Sequence, residues 1–197
     1  MAATKYSNRQ IEIMQAATVR IHKYGIQELT TKNLAADLHL SEAALYRHFK
    51  SKNEILLGLL NYFIADMETR VNEIVEDDRH TYSQKLKNLF DSQLKSFVQN
   101  PAIVSVIFAE GIFQNNKILS ARVSYMMQTM QKTIGTLVKE GQKNGMMRKL
   151  PGESATTTII MGSMRMTVLK WKISGHKSDL VKDGKMVLNG ILKLLEK

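Results

Sequence analysis

Residues 41–56 read SEAALYRHFKSKNEIL, with Tyr46, Arg47 and His48 in a row and Lys50 and Lys52 close behind. A buried helix does not tolerate that cluster, and a helix that merely faced water has no use for the tyrosine. A partner with negative charge and flat apolar edges suits it better. Just upstream lies TTKNLAADLHL, residues 30–40, whose apolar residues fall at helical spacing. The two runs are separated only by Leu38, His39, Leu40 and Ser41. Two short helices joined by so tight a turn form a helix-turn-helix unit.

The rest of the chain predicts the same class of structure. Strand-like alternation is absent, and apolar residues recur every three or four positions nearly throughout. Ser7-x-x-Gln10 is a capping box, after which Ile11, Met14, Ala17 and Ile21 trace one face up to Gly25. Short helices come next at about 31–38 and 41–49. Ser51-x-x-Glu54 opens a long helix to about residue 75, and Thr81-x-x-Gln84 opens another that ends near Asn100. Pro101 suits the first turn of the next, where its missing N–H is not needed. Leu119, Val123, Met126, Met130, Ile134 and Leu137 form the stripe of a helix over about 118–144, capped at Gly145. Helices over 153–174 and about 178–195 complete the chain, nine in all.

With 197 residues and 44% apolar content, the chain can bury a substantial core. It has no cysteine, which excludes disulfides, thiolate metal sites and cysteine catalysis. The opening MAATKYSNRQ has no apolar core of a secretory signal, and no apolar run approaches the about 18 residues of a membrane span. A cytoplasmic protein is expected. The formal charge of +10 favours polyanions as partners, although residues 1–54 carry only +3 of it.

Leu34, Ala35, Leu38, Leu40, Leu45 and Phe49 are spaced to form the core of the helix-turn-helix. The side chains left over suit DNA. Ala43 and Ala44 carry no bulk, so the backbone can approach a groove. Tyr46 can meet a thymine methyl or a phosphate, and Arg47 and Lys32 can reach guanine edges or phosphates. His48, Lys50 and Lys52 sit where a phosphate strand would pass. Thr30, Thr31, Ser41 and Lys52 stand at helix N-termini, whose free amides favour phosphate. Glu42 has two readings: a favourable charge at a helix N-terminus, or a contact to cytosine N4.

These residues resemble the TetR family of regulators. Thr30-Thr31, Leu34-Ala35, Ser41, Leu45-Tyr46, His48-Phe49 and Ser51-Lys52 meet its pattern, and the match spans about residues 7–65. The resemblance implies an all-α protein: a three-helix helix-turn-helix DNA-binding domain at 7–66, with its motif at 30–49, then a six-helix regulatory and dimerisation domain at 67–197. It implies phosphate contacts for Tyr46, His48 and Lys52, and base-facing positions for Lys32, Glu42, Ala43 and Ala44. One departure is His39, where the family usually has glycine. Histidine is among the residues that more readily take a positive φ.

The larger domain carries no G-x-S-x-G, no phosphate-binding glycine loop and no H-E-x-x-H, so no catalytic, metal or cofactor site is expected. It is rich in adaptable apolar side chains. The family resemblance implies a pocket for a small apolar or amphipathic effector, drawn from Phe63, Met67, Phe90, Leu94, Phe97, Phe108, Met126, Met130, Met164 and Trp171, with Glu110, Arg122 or Arg165 as polar contacts. Ile159, Gly162, Ser163 and Met166, with Val187, Leu188, Ile191, Leu192 and Leu195, are expected to form a homodimer interface. The resemblance then implies a homodimeric regulator on a two-fold operator in double-stranded DNA, most often a repressor. The alternative is a nucleoid-occlusion factor, which binds the bacterial nucleoid and a tubulin-like division protein.

Overall fold

The computed structural model describes residues 6–109 and 116–196. Among them lie nine α-helices: α1 Asn8–Tyr24, α2 Thr31–Asp37, α3 Glu42–Tyr46, α4 Lys52–Glu76, α5 Tyr82–Gln99, α6 Pro101–Ile107, α7 Lys117–Lys143, α8 Glu153–Ile173 and α9 Leu180–Leu195. A 3-10 turn, Ile26–Glu28, comes directly after α1. No strand forms among the described residues, and one isolated bridge joins Met147 to Glu196. The all-α expectation holds, helix by helix.

The helices begin where side chains satisfy their orphan amides. Ser7 Oγ accepts from Gln10 N–H while the Gln10 amide oxygen accepts from Ser7 N–H. Thr81 and Gln84 form the same reciprocal pair ahead of α5. At α4 the box is offset: Ser51 Oγ accepts from Glu54 N–H, but the Glu54 carboxylate reaches Lys50 N–H, one residue before the cap.

Three helices end in the same way. A residue of positive φ succeeds the last turn, His39 (54°) after α2, Gly145 (71°) after α7 and Gly175 (68°) after α8. The next amide then bonds back to a carbonyl five residues earlier: Leu40 to Ala35, Met146 to Gly141, His176 to Trp171. This is the Schellman motif, which satisfies the last carbonyls of a helix. At α8 it also sets the His176 ring 4.2 Å from Trp171.

Contacts divide the chain into two units. The first runs to Asp66 and takes in Asn100–Tyr125; the second is Met67–Gln99 with Met126–Lys197. Residues 100–109 and 116–125 thus group with the N-terminal helices, and α6 packs on α1 and on the 3-10 turn. In the first unit Ile13, Met14, Ala17 and Ile21 are the buried residues of α1. Ile13 takes the inward place expected of Ile11, which is half-buried. Leu34, Ala35, Leu45 and Phe49 are buried as expected, Leu38 and Leu40 only half so, and Leu29 joins them. In the second unit α9 packs on α5 and α8.

The α5–α9 packing is close because position 184 carries no side chain. A Cβ there would meet Leu94 Cδ1 at 2.1 Å and Phe90 Cε1 at 3.1 Å, and both residues are buried. Gly184→Ala is therefore expected to destabilise the protein by about 1–2 kcal/mol, despite alanine's better helix propensity. Urea denaturation of the variant against wild type measures this.

Candidate nucleic-acid interface

The helix-turn-helix lies wholly in the first unit. Its α3 is shorter than the expected 41–49, ending at Tyr46. Arg47 keeps right-handed helical backbone, and the amides of His48 and Phe49 both bond to Leu45 C=O, at 3.0 and 3.1 Å. The chain thus tightens through one last turn, which places Phe49 in the core and leaves Arg47 and Lys50 exposed.

Each expected contact residue has a definite local setting. Thr30 Oγ1 caps α2 by accepting from Asn33 N–H at 3.1 Å, and Ser41 Oγ caps α3 by accepting from Ala44 N–H at 3.2 Å. Capping uses a lone pair, so both hydroxyl protons stay free for a phosphate oxygen. Lys32 and Ala43 are exposed, Ala44 is half-buried, and Tyr46 is 47% exposed. The Thr31 hydroxyl donates to Glu42 Oε2 at 2.9 Å and lies 3.3 Å from the Tyr46 hydroxyl. Because the threonine proton goes to Glu42, the tyrosine is the donor of the second bond.

Two of the basic positions are tied to the scaffold. The His48 carbonyl accepts from Gln10 Nε2 at 3.1 Å, so the residue that caps α1 also fixes the end of the recognition turn. Lys52 Nζ donates to Ile26 C=O at 3.1 Å, and burial pushes its pKa down. Two of its three ammonium protons remain for a phosphate. Sequence reading missed Gln10 and Ile26 as partners, since neither contact is local in the chain.

It also missed the ion pair between the first two helices. Arg20 on α1 grips Asp37 at the end of α2 with two nitrogens, Nη2 donating to Oδ1 at 2.7 Å. That hydrogen bonding holds the Asp37 carboxyl below the usual carboxylate range, against a smaller effect of burial.

The residues expected around an effector are spread over both units. Glu110 lies outside the described residues. Phe63 is buried, Phe108 and Arg122 are half-buried, and all three belong to the first unit. The Arg122 guanidinium stacks over Tyr125 at 5.1 Å. Met67, Phe90, Leu94, Phe97, Met126, Met130 and Trp171 are buried in the second unit, where Met164 is half-buried and Arg165 exposed. Two polar residues share this setting unforeseen: Gln93 and Ser96, each 4% exposed. A cavity of about 170 Å³ opens in the second unit between Lys87, Asn88, Phe90 and Asp91 on α5 and Lys185, Leu188 and Asn189 on α9. It shares Phe90 with the expected pocket.

Of the expected interface residues, Ile159, Gly162 and Met166 are exposed and Ser163, Val187 and Ile191 half-buried. Leu188, Leu192 and Leu195 are buried within the chain itself. Ile173, Met186 and Leu194, not expected, are 70–76% exposed.

Comparison with known proteins divides the chain differently, since residues 100–125 fall in the C-terminal match. The model for the N-terminal region of bacterial regulatory proteins of the tetR family matches residues 13–59, and that for the C-terminal region of YsiA-like proteins matches 58–194. The chain belongs to the TetR family: it is a DNA-binding regulator of transcription and not an enzyme. Among relatives, the nucleoid occlusion factor SlmA of Photobacterium profundum is 30% identical over 141 residues, 71% of each chain. The ketosteroid transcriptional regulator KstR2 of Mycobacterium tuberculosis shares the fold with a TM-score of 0.81 at 18% identity, over the full length of both chains. FadR from Bacillus subtilis, solved with stearoyl-CoA, shares it with a TM-score of 0.74 at 20% identity, over 93% of this chain and 98% of that one.

Two outcomes test the local physics. His39→Gly is expected to raise stability by about 0.5–1 kcal/mol, because removing the left-handed strain outweighs the added freedom of the unfolded chain; His39→Val lowers it by about 1–2 kcal/mol. Denaturant midpoints of the two variants read both. The depressed Asp37 pKa makes its pairing stabilising above the ordinary carboxyl value of about 4, and the contribution is lost as pH falls through the lower folded value. The stability gap between wild type and Asp37→Asn should therefore be open at neutral pH and close in strong acid.

Proposed function

We propose that the chain is a homodimeric repressor that binds a two-fold operator and is released by an amphipathic effector. The observation that carries this reading is the exposed edge of α2 and α3. There Lys32, Tyr46, Arg47 and Lys50 stand clear of a core fixed by the turn at His39. In this reading α3 enters the major groove, His48 and Lys52 meet phosphates, and Tyr46, whose hydroxyl proton goes to Thr31, turns its ring to a thymine methyl.

The dimer is supported by the apolar outer sides of α8 and α9. Ile159, Met166 and Ile173 recur every seven residues on α8, and Met186 and Leu194 stand exposed eight residues apart on α9. At Gly162 and Gly190 a Cβ would meet nothing within 4 Å, so each helix can receive a partner helix closely. A two-fold pair would present its α3 helices to half-sites about one DNA turn apart, or a multiple of it.

The neighbour solved with stearoyl-CoA favours a long-chain acyl thioester as the effector. Release requires that such a ligand bind one spacing of the two heads better than the other. α4, one unbroken helix with residues in both units, is the element through which that difference would act. A second reading has its own support in the SlmA relatives: a nucleoid-associated division factor that contacts a tubulin-like protein.

Selection of bound duplexes from fragmented genomic DNA at physiological salt separates the two readings, since binding at low salt reports mostly charge. One palindrome near a few promoters, released by stearoyl-CoA, supports the repressor; many sites scattered along the chromosome with no response to the thioester support the division factor. On the selected operator, Tyr46→Ala and Lys52→Ala are each expected to weaken binding by about tenfold or more while sedimentation shows the dimer intact.

A further inference from the structure

We propose that Glu42 reads a cytosine in the operator half-site, its carboxylate aimed by Thr31. The inference rests on the DNA-binding reading above and assigns the chemistry of one base position within it.

Glu42 and Tyr46 stand one helical turn apart on α3, and both face the Thr31 hydroxyl at the start of α2. Thr31 gives its proton to Glu42 Oε2, and Tyr46 gives its own to Thr31. The relay has one direction and ends on the carboxylate. It holds Glu42 Oε2, while Oε1 takes no partner among the described residues. Oε1 is thus an acceptor, already oriented, on the exposed start of the recognition helix.

An acceptor there repels phosphate oxygens, guanine O6 and N7, and thymine O4. In the major groove only cytosine N4 and adenine N6 offer a proton, and adenine sets its N7 acceptor beside the amine. A single carboxylate oxygen therefore favours cytosine. The same charge among Lys32, Arg47 and Lys50 weakens binding to duplexes lacking that amine, so Glu42 adds discrimination at the expense of bare affinity.

The test uses the selected operator and a full set of single-base changes in one half-site, with the full-length dimer. Wild type should prefer C·G at one position, and Glu42→Ala should reduce that preference by about tenfold while leaving the others unchanged. Thr31→Val, which keeps the shape and removes the donor, should reduce it about threefold at the same position, and Thr31→Ser should restore it. Circular dichroism checks that each variant folds. If Glu42→Ala shifts affinity for all duplexes alike, or lowers stability without altering any preference, Glu42 is only a charge at a helix N-terminus and the inference is overturned. The DNA-binding reading would survive that result. It falls, and this inference with it, only if the wild-type chain selects no sequence at all.

Discussion

The turn after α2 is the constraint on which the DNA-binding unit depends. His39 holds a φ of 54° so that Leu40 N–H can reach Ala35 C=O at 2.8 Å, and the chain leaves α2 in the direction that α3 needs. A left-handed residue other than glycine costs about 1–2 kcal/mol. Packing beyond the turn outweighs that cost. Leu45 is fully buried and Phe49 nearly so, and each such side chain contributes about 1.5–3 kcal/mol. With those two inward, Glu42, Ala43, Tyr46 and Arg47 are left facing out. The surface proposed to meet DNA is the remainder of a packing solution.

Polar side chains then lock that solution by making two bonds where one is expected. Gln10 caps α1 with its oxygen and holds the His48 carbonyl with its nitrogen. Thr31 begins α2 and joins it to α3 through Glu42 and Tyr46. Lys52 opens α4 and ties back the Ile26 carbonyl. The second unit repeats the device at Lys85, buried on α5, which satisfies the Val75 carbonyl in the last turn of α4 at 2.6 Å. A lysine there meets the negative end of a helix, which is why burial is tolerated.

Helix existence was legible because caps, glycines and spacing are local signals. All six apolar residues expected along α7 are buried, and Gly145 and Gly175 end their helices as read. What spacing does not tell is which apolar face the chain covers for itself. On α9, apolar side chains occupy more than one face: Leu188, Leu192 and Leu195 turn inward, whereas Met186 and Leu194 remain outside. The same blindness put Ile11 in the place of Ile13. On α2 and α3 the motif made the buried and exposed positions legible, but not the Thr31–Glu42–Tyr46 relay. It depends on the angle between two helices, and no local pattern encodes that angle.

The burial of Trp171 beside His176 has a consequence for how this molecule can be watched. Trp171 is the sole tryptophan and lies in the second unit, buried at the end of α8. Indole emission therefore tracks that unit alone, and the DNA-binding unit is optically silent in that channel. Circular dichroism, by contrast, sums over every helix. A difference between the two signals on heating or in denaturant would mean that the two units come apart separately, a distinction built into the position of one side chain.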